Sequence, residues 1–356
     1  ATTTQGSVAY LTSTYNSGYM TGDIKGAWLS DTDTTSLGTE LVTNGDMSSA
    51  TGWSLTDNWQ ITGGTLNTSA PLTSASNATQ TGILTVGKLY VITFDLVRTA
   101  GNFVIRMGSG SQSTQLNSSG TYTYTMVATT DGDLWLRGMT GFAGSVDNIS
   151  VKLADADRSV NDNGLQVNGT ITKTAVATGA DLVAYGPFAV GNYLEQPYNA
   201  DLDFASGDDF SISIWIKSDA ASYDNHLARG AIDNSGAGFK FESGGGHSLS
   251  FKNQAGTSLL AGVAGTLVAN VWVSIVVTRA SGTLTMYKNG DSIVSAANTT
   301  SFVNTAATLK VGTTSDATGN AAGAEVALLR ISATAPTASQ ILEIYNAEKP
   351  LFQENA

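Results

Sequence analysis

One stretch of strictly alternating side chains constrains the fold of this chain more than any other feature. From Phe210 to Lys217 the sequence reads FSISIWIK, and every second side chain from Phe210 to Ile216 is apolar. A period of two places those apolar side chains on one face of an extended strand. The Gly-Asp-Asp that precedes the stretch is typical of a turn. The stretch therefore predicts a β-strand with one apolar face, in a sheet that buries that face.

Two later segments continue this pattern of strands and tight turns. Residues 271–296 read as strands that include a hairpin closed by Asn289-Gly290, the strongest short-range hairpin signal. Residues 309–332 predict a further strand region, and 337–349 predict a short helix opened by a Thr-Ala-Ser-Gln capping box. The order of these segments resembles the laminin G-like, or concanavalin A-like, jelly roll. That resemblance implies an all-β domain with one short helix after its last strand.

The composition excludes several classes of protein. The chain has 356 residues and no cysteine, so neither disulfides nor a thiolate metal site can stabilise it. A net charge of −12 argues against a nucleic-acid partner or an anionic membrane surface. No apolar run approaches the roughly 18 residues that a membrane helix needs, so membrane insertion is not expected. Because the chain begins with Ala1 rather than Met, we expect a processed product or a fragment of a longer protein.

A second region has a different sequence pattern. Residues 40–53, ELVTNGDMSSATGW, resemble the opening of jelly-roll carbohydrate-binding modules, in which a Leu-Val-x-Asn-Gly-Asp-Phe-Glu-like strand leads to Gly-Trp. Met47 stands where Phe is usual, and Ser48 stands where Glu is usual. Residues 145–153, SVDNISVKL, resemble the closing strand of the same modules. The resemblance covers 38–153 and implies a second, galactose-binding-like or carbohydrate-module-like jelly roll.

The flanks of this second region resemble each other, since LSDTD precedes it and LADAD follows it. We therefore predict an all-β chain of two jelly-roll sandwiches, in which 38–153 is inserted into a discontinuous domain made of 1–37 and 154–356. Insertion requires that the ends of the guest domain lie close together, as they do where first and last strands pair. It predicts that residues 22–30 pair with strands of the C-terminal part. Two tandem domains, with 1–37 as a leader, are the alternative.

The sequence offers little that could support catalysis. The two histidines, His226 and His247, lie in segments rich in Gly, Asn and Ser that read as surface loops, and no Gly-x-Ser-x-Gly motif is present. Glycosidases with a concanavalin A-like fold need two carboxylates that flank the scissile bond. No two of the seven glutamates are neighbours on one strand face. We therefore predict that the chain is not an enzyme.

A structural calcium ion is implied by both resemblances, because calcium takes several oxygen ligands and both families often bind it. In the carbohydrate modules the ligands come from the opening strand and the closing Asp, where this chain has Glu40, Asp46 and Asp147. Ser48 replaces the usual Glu, which weakens that site. The alternative is that these acidic residues form turns and caps. The corresponding candidates in the other jelly roll are Asp201, Asp203, Asp208, Asp209 and Glu325.

Strand alternation also predicts a glycan-binding face. In DLWLRG the two leucines face one way, so Trp135 and Arg137 face the other. The same alternation places Arg106 and Asp95 opposite apolar neighbours, and we expect all four side chains to share one face of a sheet. A Trp ring matches the apolar face of a sugar, and the charged groups can bond its hydroxyls. The alternatives are an ordinary outer sheet face or a contact with another subunit.

Four other tryptophans are expected at structural positions. Trp53 and Trp59 are expected in the core or at its rim, since a Gly-Trp after the first strand usually anchors the module. Trp215 and Trp272 stand at positions that are structural in laminin G-like domains, so both are expected in the core.

The full order of the pieces resembles virion structural proteins of marine tailed bacteriophages. The matching pieces include TSTYNSGYMTGDIKGAWLSDTDTT near the start and ILEIYNAEKPLFQENA at the end. The resemblance implies a tail-fibre or appendage protein on the virion surface, or otherwise an extracellular one. It would form homo-oligomers, contact other virion subunits and bind host-surface polysaccharides or glycans. A secreted bacterial adhesin, or an accessory module of a polysaccharide-active enzyme, is the alternative, and a glycosidase comes third.

Overall fold

A computed structural model describes residues 6–12, 15–159, 161, 163–218, 224–231, 237–318 and 323–354, with side chains from residue 22 onward. The chain forms two compact units. Unit 1 comprises Ala1–Leu37 and Asp155–Ala356, and unit 2 comprises Gly38–Ala154. None of the described helices is long and apolar enough to cross a membrane.

Three strands precede unit 2: β1 (Gly6–Thr12), β2 (Tyr15–Gly22) and β3 (Ile24–Trp28). The strands of unit 2 are β4 (Ser54–Leu55), β5 (Trp59–Thr62), β6 (Thr65–Thr68), β7 (Ser76–Gln80), β8 (Leu89–Ala100), β9 (Phe103–Met107), β10 (Ser111–Gln112), β11 (Gly120–Val127), β12 (Leu134–Gly138) and β13 (Ala143–Leu153).

The rest of unit 1 contains β14 (Gln166–Asn168), β15 (Lys173–Ala175), β16 (Val183–Tyr185), β17 (Tyr193–Gln196), β18 (Phe210–Lys217), β19 (Asn225–Gly230), β20 (Phe239–Gly244), β21 (Ser248–Asn253), β22 (Ser258–Val263), β23 (Val273–Ala280), β24 (Thr283–Lys288), β25 (Asp291–Ala297), β26 (Thr308–Val311) and β27 (Glu325–Ser332). The α-helix α1 (Ala338–Glu348) follows, and short 3-10 turns lie at Ala200–Leu202, Gly245–His247 and Lys349–Phe352.

Unit 2 is a sandwich of two five-stranded sheets. One sheet has the strand order β10-β9-β12-β7-β4, and the other has the order β11-β8-β13-β6-β5. The two inner faces meet in an aromatic core, where the rings of Phe94 and Phe103 lie 5.7 Å apart. Trp53 and Trp59 are buried in this unit, as expected.

Unit 1 is also built from two large sheets, in the laminin G-like, concanavalin A-like manner that the sequence predicts. A seven-stranded sheet has the order β14-β17-β26-β19-β20-β21-β22, and an eight-stranded sheet has the order β15-β16-β27-β18-β23-β24-β25. Strand β3 pairs antiparallel with β27, so residues 24–28 join the eight-stranded sheet. The chain is therefore all-β, and α1 is the one α-helix among the described residues.

Local sequence signals agree well with these elements. Strand β18 spans the predicted residues, and Asn289-Gly290 closes the β24–β25 hairpin, both residues with positive φ. Thr337 caps α1 through the predicted capping box with Gln340. Both faces of β18 are buried, however, and not only the apolar one.

The second face of β18 is buried because the C-terminal segment covers it. Trp215 is stacked on Phe352 with ring centroids 4.0 Å apart, and its Nε1 donates to Glu348 Oε2 at 2.7 Å. Glu348 also pairs with Arg330 at 2.5 Å, and both side chains are 1% exposed. This buried ion pair joins α1 to the eight-stranded sheet.

Two carboxylates from the LADAD flank hold strand β3 in place. Asp155 accepts a hydrogen bond from the Leu29 amide at 2.7 Å, and Asp157 accepts one from the Ala27 amide at 2.8 Å. Asp155 also accepts from the Tyr185 hydroxyl at 2.7 Å. Burial raises the pKa of Asp155 to about 6, against the lowering effect of these hydrogen bonds.

Candidate functional site

The outer face of the sheet β10-β9-β12-β7-β4, here called the tryptophan face, contains three of the four residues predicted to bind a glycan. On β12, Leu134 and Leu136 point into the core and are fully buried. Trp135 and Arg137 alternate with them and are partly exposed on the opposite side. The tryptophan face is thus fixed by the period of the strand.

A row of side chains crosses this face through Trp135. Arg106 of β9 lies directly opposite Trp135 on one side, and Thr79 of β7 lies opposite on the other. The row continues outward to Gln112 of β10 and Ser54 of β4. An aromatic ring therefore lies at the centre of a row of hydrogen-bonding groups.

Arg106 is held against the tryptophan ring. Its guanidinium carbon lies 5.0 Å from the centroid of the Trp135 ring, which is within the range of a cation–π contact. Its Nη2 donates to the carbonyl oxygen of Ser109. The two contacts fix the orientation of a side chain that would otherwise be free to rotate.

Arg137 begins a second row on the same face. It lies opposite Asn77 of β7, and its Nη1 donates to Asn77 Oδ1 at 3.1 Å. On the other side it faces Val104, which is buried. Thr79, Asn77 and Gln112 were not singled out from the sequence, although the alternation in SNATQ marks the first two as outward-facing.

The prediction that Asp95 shares this face is wrong. Asp95 lies on β8, in the opposite sheet of the sandwich, between Thr121 of β11 and Asp147 of β13. Its carboxylate accepts from Thr121 Oγ1 and from Asn148 Nδ2, and these two hydrogen bonds lower its pKa. Alternation within a strand fixes the face of each residue but not the sheet that the strand joins.

The three residues predicted to bind calcium are engaged separately. Glu40 accepts from the Val151 amide at 2.9 Å and from Ser150 Oγ at 2.5 Å. Asp46 accepts from Ser48, and Asp147 accepts from the Asn148 amide. Among the residues described, no group of three or more acidic, histidine or cysteine side chains is placed to hold a metal ion. These carboxylates act as local caps, and calcium binding stays a prediction.

Two further expectations about single residues need correction. His226 does not lie in a surface loop but on β19, where it is fully buried. Trp272 is only partly buried: it packs against the edge of the core and its Nε1 donates to the Val176 carbonyl at 2.9 Å. Trp215, by contrast, is 2% exposed and is a core residue as expected.

The outer face of the seven-stranded sheet in unit 1, here called the lysine face, differs in its charges. Lys310 pairs with Glu195 at 3.0 Å, and Lys240 pairs with Glu242 at 2.8 Å. Lys252 also pairs with Glu242. Burial would raise the pKa of Glu242, but hydrogen bonds and charges from the two lysines lower it overall. Each of these lysines is therefore neutralised within the protein.

Comparison with known proteins identifies the type of domain in unit 1. Residues 188–342 match the laminin G family model described as the concanavalin A-like lectin/glucanases superfamily. That match lies entirely within unit 1, which therefore contains a laminin G-like, concanavalin A-like jelly roll. A search of the curated proteins found no match.

Several solved structures are similar to this chain. The binding domain of Paraclostridial Mosquitocidal Protein 1 is 18% identical, with a TM-score of 0.43, over 54% of this chain and 49% of that one. The receptor binding domain of botulinum neurotoxin D is 15% identical, with a TM-score of 0.41, over 55% and 50%. The chain thus spans about half the length of these toxin domains. Domain 4 of a Geobacillus stearothermophilus arabinanase, solved with arabinotriose, is 15% identical, with a TM-score of 0.37, over 52% and 91%.

Proposed function

We propose that this chain is a non-catalytic adhesion protein that binds polysaccharides through the tryptophan face. The observation that carries the proposal is the position of Trp135, a partly exposed aromatic ring at the centre of a row that includes Arg106 and Thr79. A flat apolar ring flanked by hydrogen-bond donors and acceptors matches the two kinds of surface on a pyranose.

Sugar binding on this face would combine two contacts. The exposed part of the Trp135 ring would pack against the C–H groups of one sugar unit. The side chains of Thr79, Asn77 and Gln112 would bond hydroxyls of neighbouring units along the row. Because all of these groups project from strands rather than loops, little conformational entropy is lost on binding.

The two units are given different roles in this proposal. We propose that residues 38–153 form a guest domain within the laminin G-like host, and that the host connects the chain to other copies and to neighbouring proteins. The resemblance to virion structural proteins of marine tailed bacteriophages supports a tail-fibre or appendage role at the virion surface. Genome neighbourhood distinguishes this role from a secreted adhesin or an accessory module of a polysaccharide-active enzyme.

A pair of tryptophan variants tests the binding proposal. Trp135→Ala is expected to abolish binding on a glycan and polysaccharide array while leaving the melting temperature nearly unchanged. Trp272→Ala, the matched control in unit 1, is expected to keep the array signal but to lose about 2–3 kcal/mol of stability, since it removes a partly buried ring. Running the array with calcium and with chelator tests the calcium expectation.

The outcome that contradicts the proposal is specific. If Trp135→Ala binds the same polysaccharides as the unaltered chain, the tryptophan face is not the binding site. If the variant instead melts at a much lower temperature, Trp135 acts in packing or in a contact between subunits. Release of reducing sugar from any bound polysaccharide by the unaltered chain would contradict the non-catalytic assignment.

A further inference from the structure

We propose that the polysaccharide bound at the tryptophan face is anionic, with carboxylate or sulfate groups on its sugars. This inference rests on the proposed function and specifies the substrate class of the same face. It follows from the charges on that face, which differ in sign from those of the protein as a whole.

The strands of the tryptophan face carry positive charge and no negative charge. Strands β4, β7, β9, β10 and β12 read SL, SNATQ, FVIRM, SQ and LWLRG, and they contain two arginines but no Asp or Glu. The chain as a whole has a net charge of −12. A local cationic patch on an acidic protein attracts anions to one place and leaves the rest of the surface repulsive to them.

Neither arginine is neutralised by the protein. Within the described part of the chain, Arg106 and Arg137 form no ion pair with a carboxylate, and each donates only one side-chain hydrogen bond, to the Ser109 carbonyl and to Asn77 Oδ1. Two carboxylates lie close to β12, and one of them is bonded to the same Ser109 that accepts from Arg106, but among the described residues neither forms an ion pair with an arginine. Asp131 accepts from the Ser109 amide at 3.2 Å, and Asp133 accepts from the Gly82 amide at 3.0 Å.

The two arginines flank the tryptophan ring along different directions. Arg106 lies across the sheet from Trp135, and Arg137 lies two residues further along the same strand. A sugar packed on the ring would therefore have a guanidinium on two sides. A guanidinium donates two parallel hydrogen bonds to a planar carboxylate, and similar bonds to a sulfate, which neutral hydroxyls cannot match in strength.

Two matched pairs of polymers test this inference on the full chain. Polygalacturonate is compared with its highly methyl-esterified form, and dextran sulfate is compared with dextran, by calorimetry or affinity electrophoresis. The acidic member of at least one pair is expected to bind about tenfold or more tightly than its neutral partner. That difference should shrink at high ionic strength, because salt screens exposed charges. The pair that shows it identifies the anion as carboxylate or sulfate.

Two arginine variants and one control locate the effect. Arg106→Gln and Arg137→Gln are each expected to weaken binding of the acidic polymer about tenfold more than they weaken binding of its neutral partner. Lys252→Gln, on the lysine face, is expected to change neither, since Glu242 already neutralises that lysine and keeps Lys240 as a partner.

The outcomes separate this inference from the proposed function. Equal binding of acidic and neutral polymers, lost in Trp135→Ala, would overturn the anionic preference and leave the proposed function intact. Arginine variants that bind the acidic polymer as tightly as the unaltered chain would also overturn it. Binding of single-stranded DNA as tightly as the best acidic polymer would show a general phosphate or charge response and overturn the polysaccharide assignment. Binding of neither polymer pair, while Trp135-dependent binding persists on the polysaccharide array, would overturn the anionic preference alone. Loss of the array signal as well would overturn both proposals.

Discussion

The tryptophan face of unit 2 and the lysine face of unit 1 are both outer surfaces of antiparallel sheets. They differ in whether their cationic side chains are paired with carboxylates. On the lysine face, Lys310, Lys240 and Lys252 all have a glutamate partner. On the tryptophan face, Arg106 and Arg137 have none within the described part of the chain, and Arg106 lies against an aromatic ring. Cations that are paired within a protein contribute little to binding, whereas unpaired guanidinium groups keep donors available for a ligand.

In the interior of unit 1, a buried arginine and a buried glutamate stabilise the fold by pairing with each other. Arg330 and Glu348 are both almost fully buried and pair with each other, and Glu348 also accepts from Trp215. Such a pair is costly to break because the remaining charge has no water around it. Arg330 therefore contributes to stability, whereas Arg106 and Arg137 are proposed to contribute to binding, so substitutions at the two kinds of site should differ in their effects.

The largest expected effect comes from breaking the buried pair. Arg330→Gln should lower the free energy of unfolding by about 3–5 kcal/mol, because it removes the charged partner of the buried Glu348. Chemical denaturation of the full chain, followed by tryptophan fluorescence, measures the loss. A change under about 1 kcal/mol would show that the pair is open to water and would weaken the contrast between the two kinds of arginine.

The next largest effect is the dependence of stability on pH that the protonation of Asp155 produces. Its pKa rises from 3.8 to about 6 on folding, so the folded state holds the proton more tightly. The stability that this proton provides is complete below pH 3.8 and is lost as pH rises through about 6. Among the described residues, the titratable groups that act on this carboxyl are Tyr185, Asp31 and Lys173.

Asp155→Asn removes that titration and should change the pH profile in a defined direction. The unfolding free energy of the variant, minus that of the unaltered chain, should rise by about 2–3 kcal/mol between the two pKa values, since one pKa unit corresponds to about 1.4 kcal/mol. The hydrogen bond that the variant loses lowers its unfolding free energy by the same amount at every pH. A difference that stays flat across this range would show that the carboxyl is solvated.

A smaller effect is expected where an arginine lies on the tryptophan face. Arg137→Gln should cost under about 1 kcal/mol of stability, because within the described structure it removes one hydrogen bond to Asn77 and no ion pair. The same substitution at Arg330 and at Arg137 thus forms a matched pair, measured under the same denaturing conditions. Similar losses of stability at the two sites would contradict the proposal that Arg137 contributes to binding rather than to stability.

The smallest effect is expected on the lysine face. Lys252→Gln should change stability by no more than about 0.5 kcal/mol, because Glu242 retains Lys240 and the pair is partly solvated. A loss of several kcal/mol would show that the three charges act as one structural network.

Much of the fold could be predicted from local sequence signals. Strand β18, the Asn289-Gly290 hairpin and the Thr337 cap all lie where their patterns predict. The outward direction of Trp135 followed from the leucines on either side of it. These features depend on backbone preferences and on a period of two, which are properties of neighbouring residues.

The errors arose where distant parts of the chain decide the outcome. Asp95 has the alternation of an outward-facing residue, yet it lies on the other sheet of the sandwich. Trp272 was expected in the core, yet it is only partly buried and packs against the edge of the core. His226 reads as part of a polar loop, yet it is a buried strand residue.

The sequence by itself determined where strands begin, how their turns close and which side chains alternate. Only the tertiary structure decided which strands share a sheet, which outer faces are covered, and which arginines have no carboxylate partner among the described residues. The physical reason is that alternation is fixed within a few residues of one strand. Strand pairing and coverage instead depend on contacts between residues far apart in the chain, such as Trp135 with Arg106 or Trp215 with Glu348.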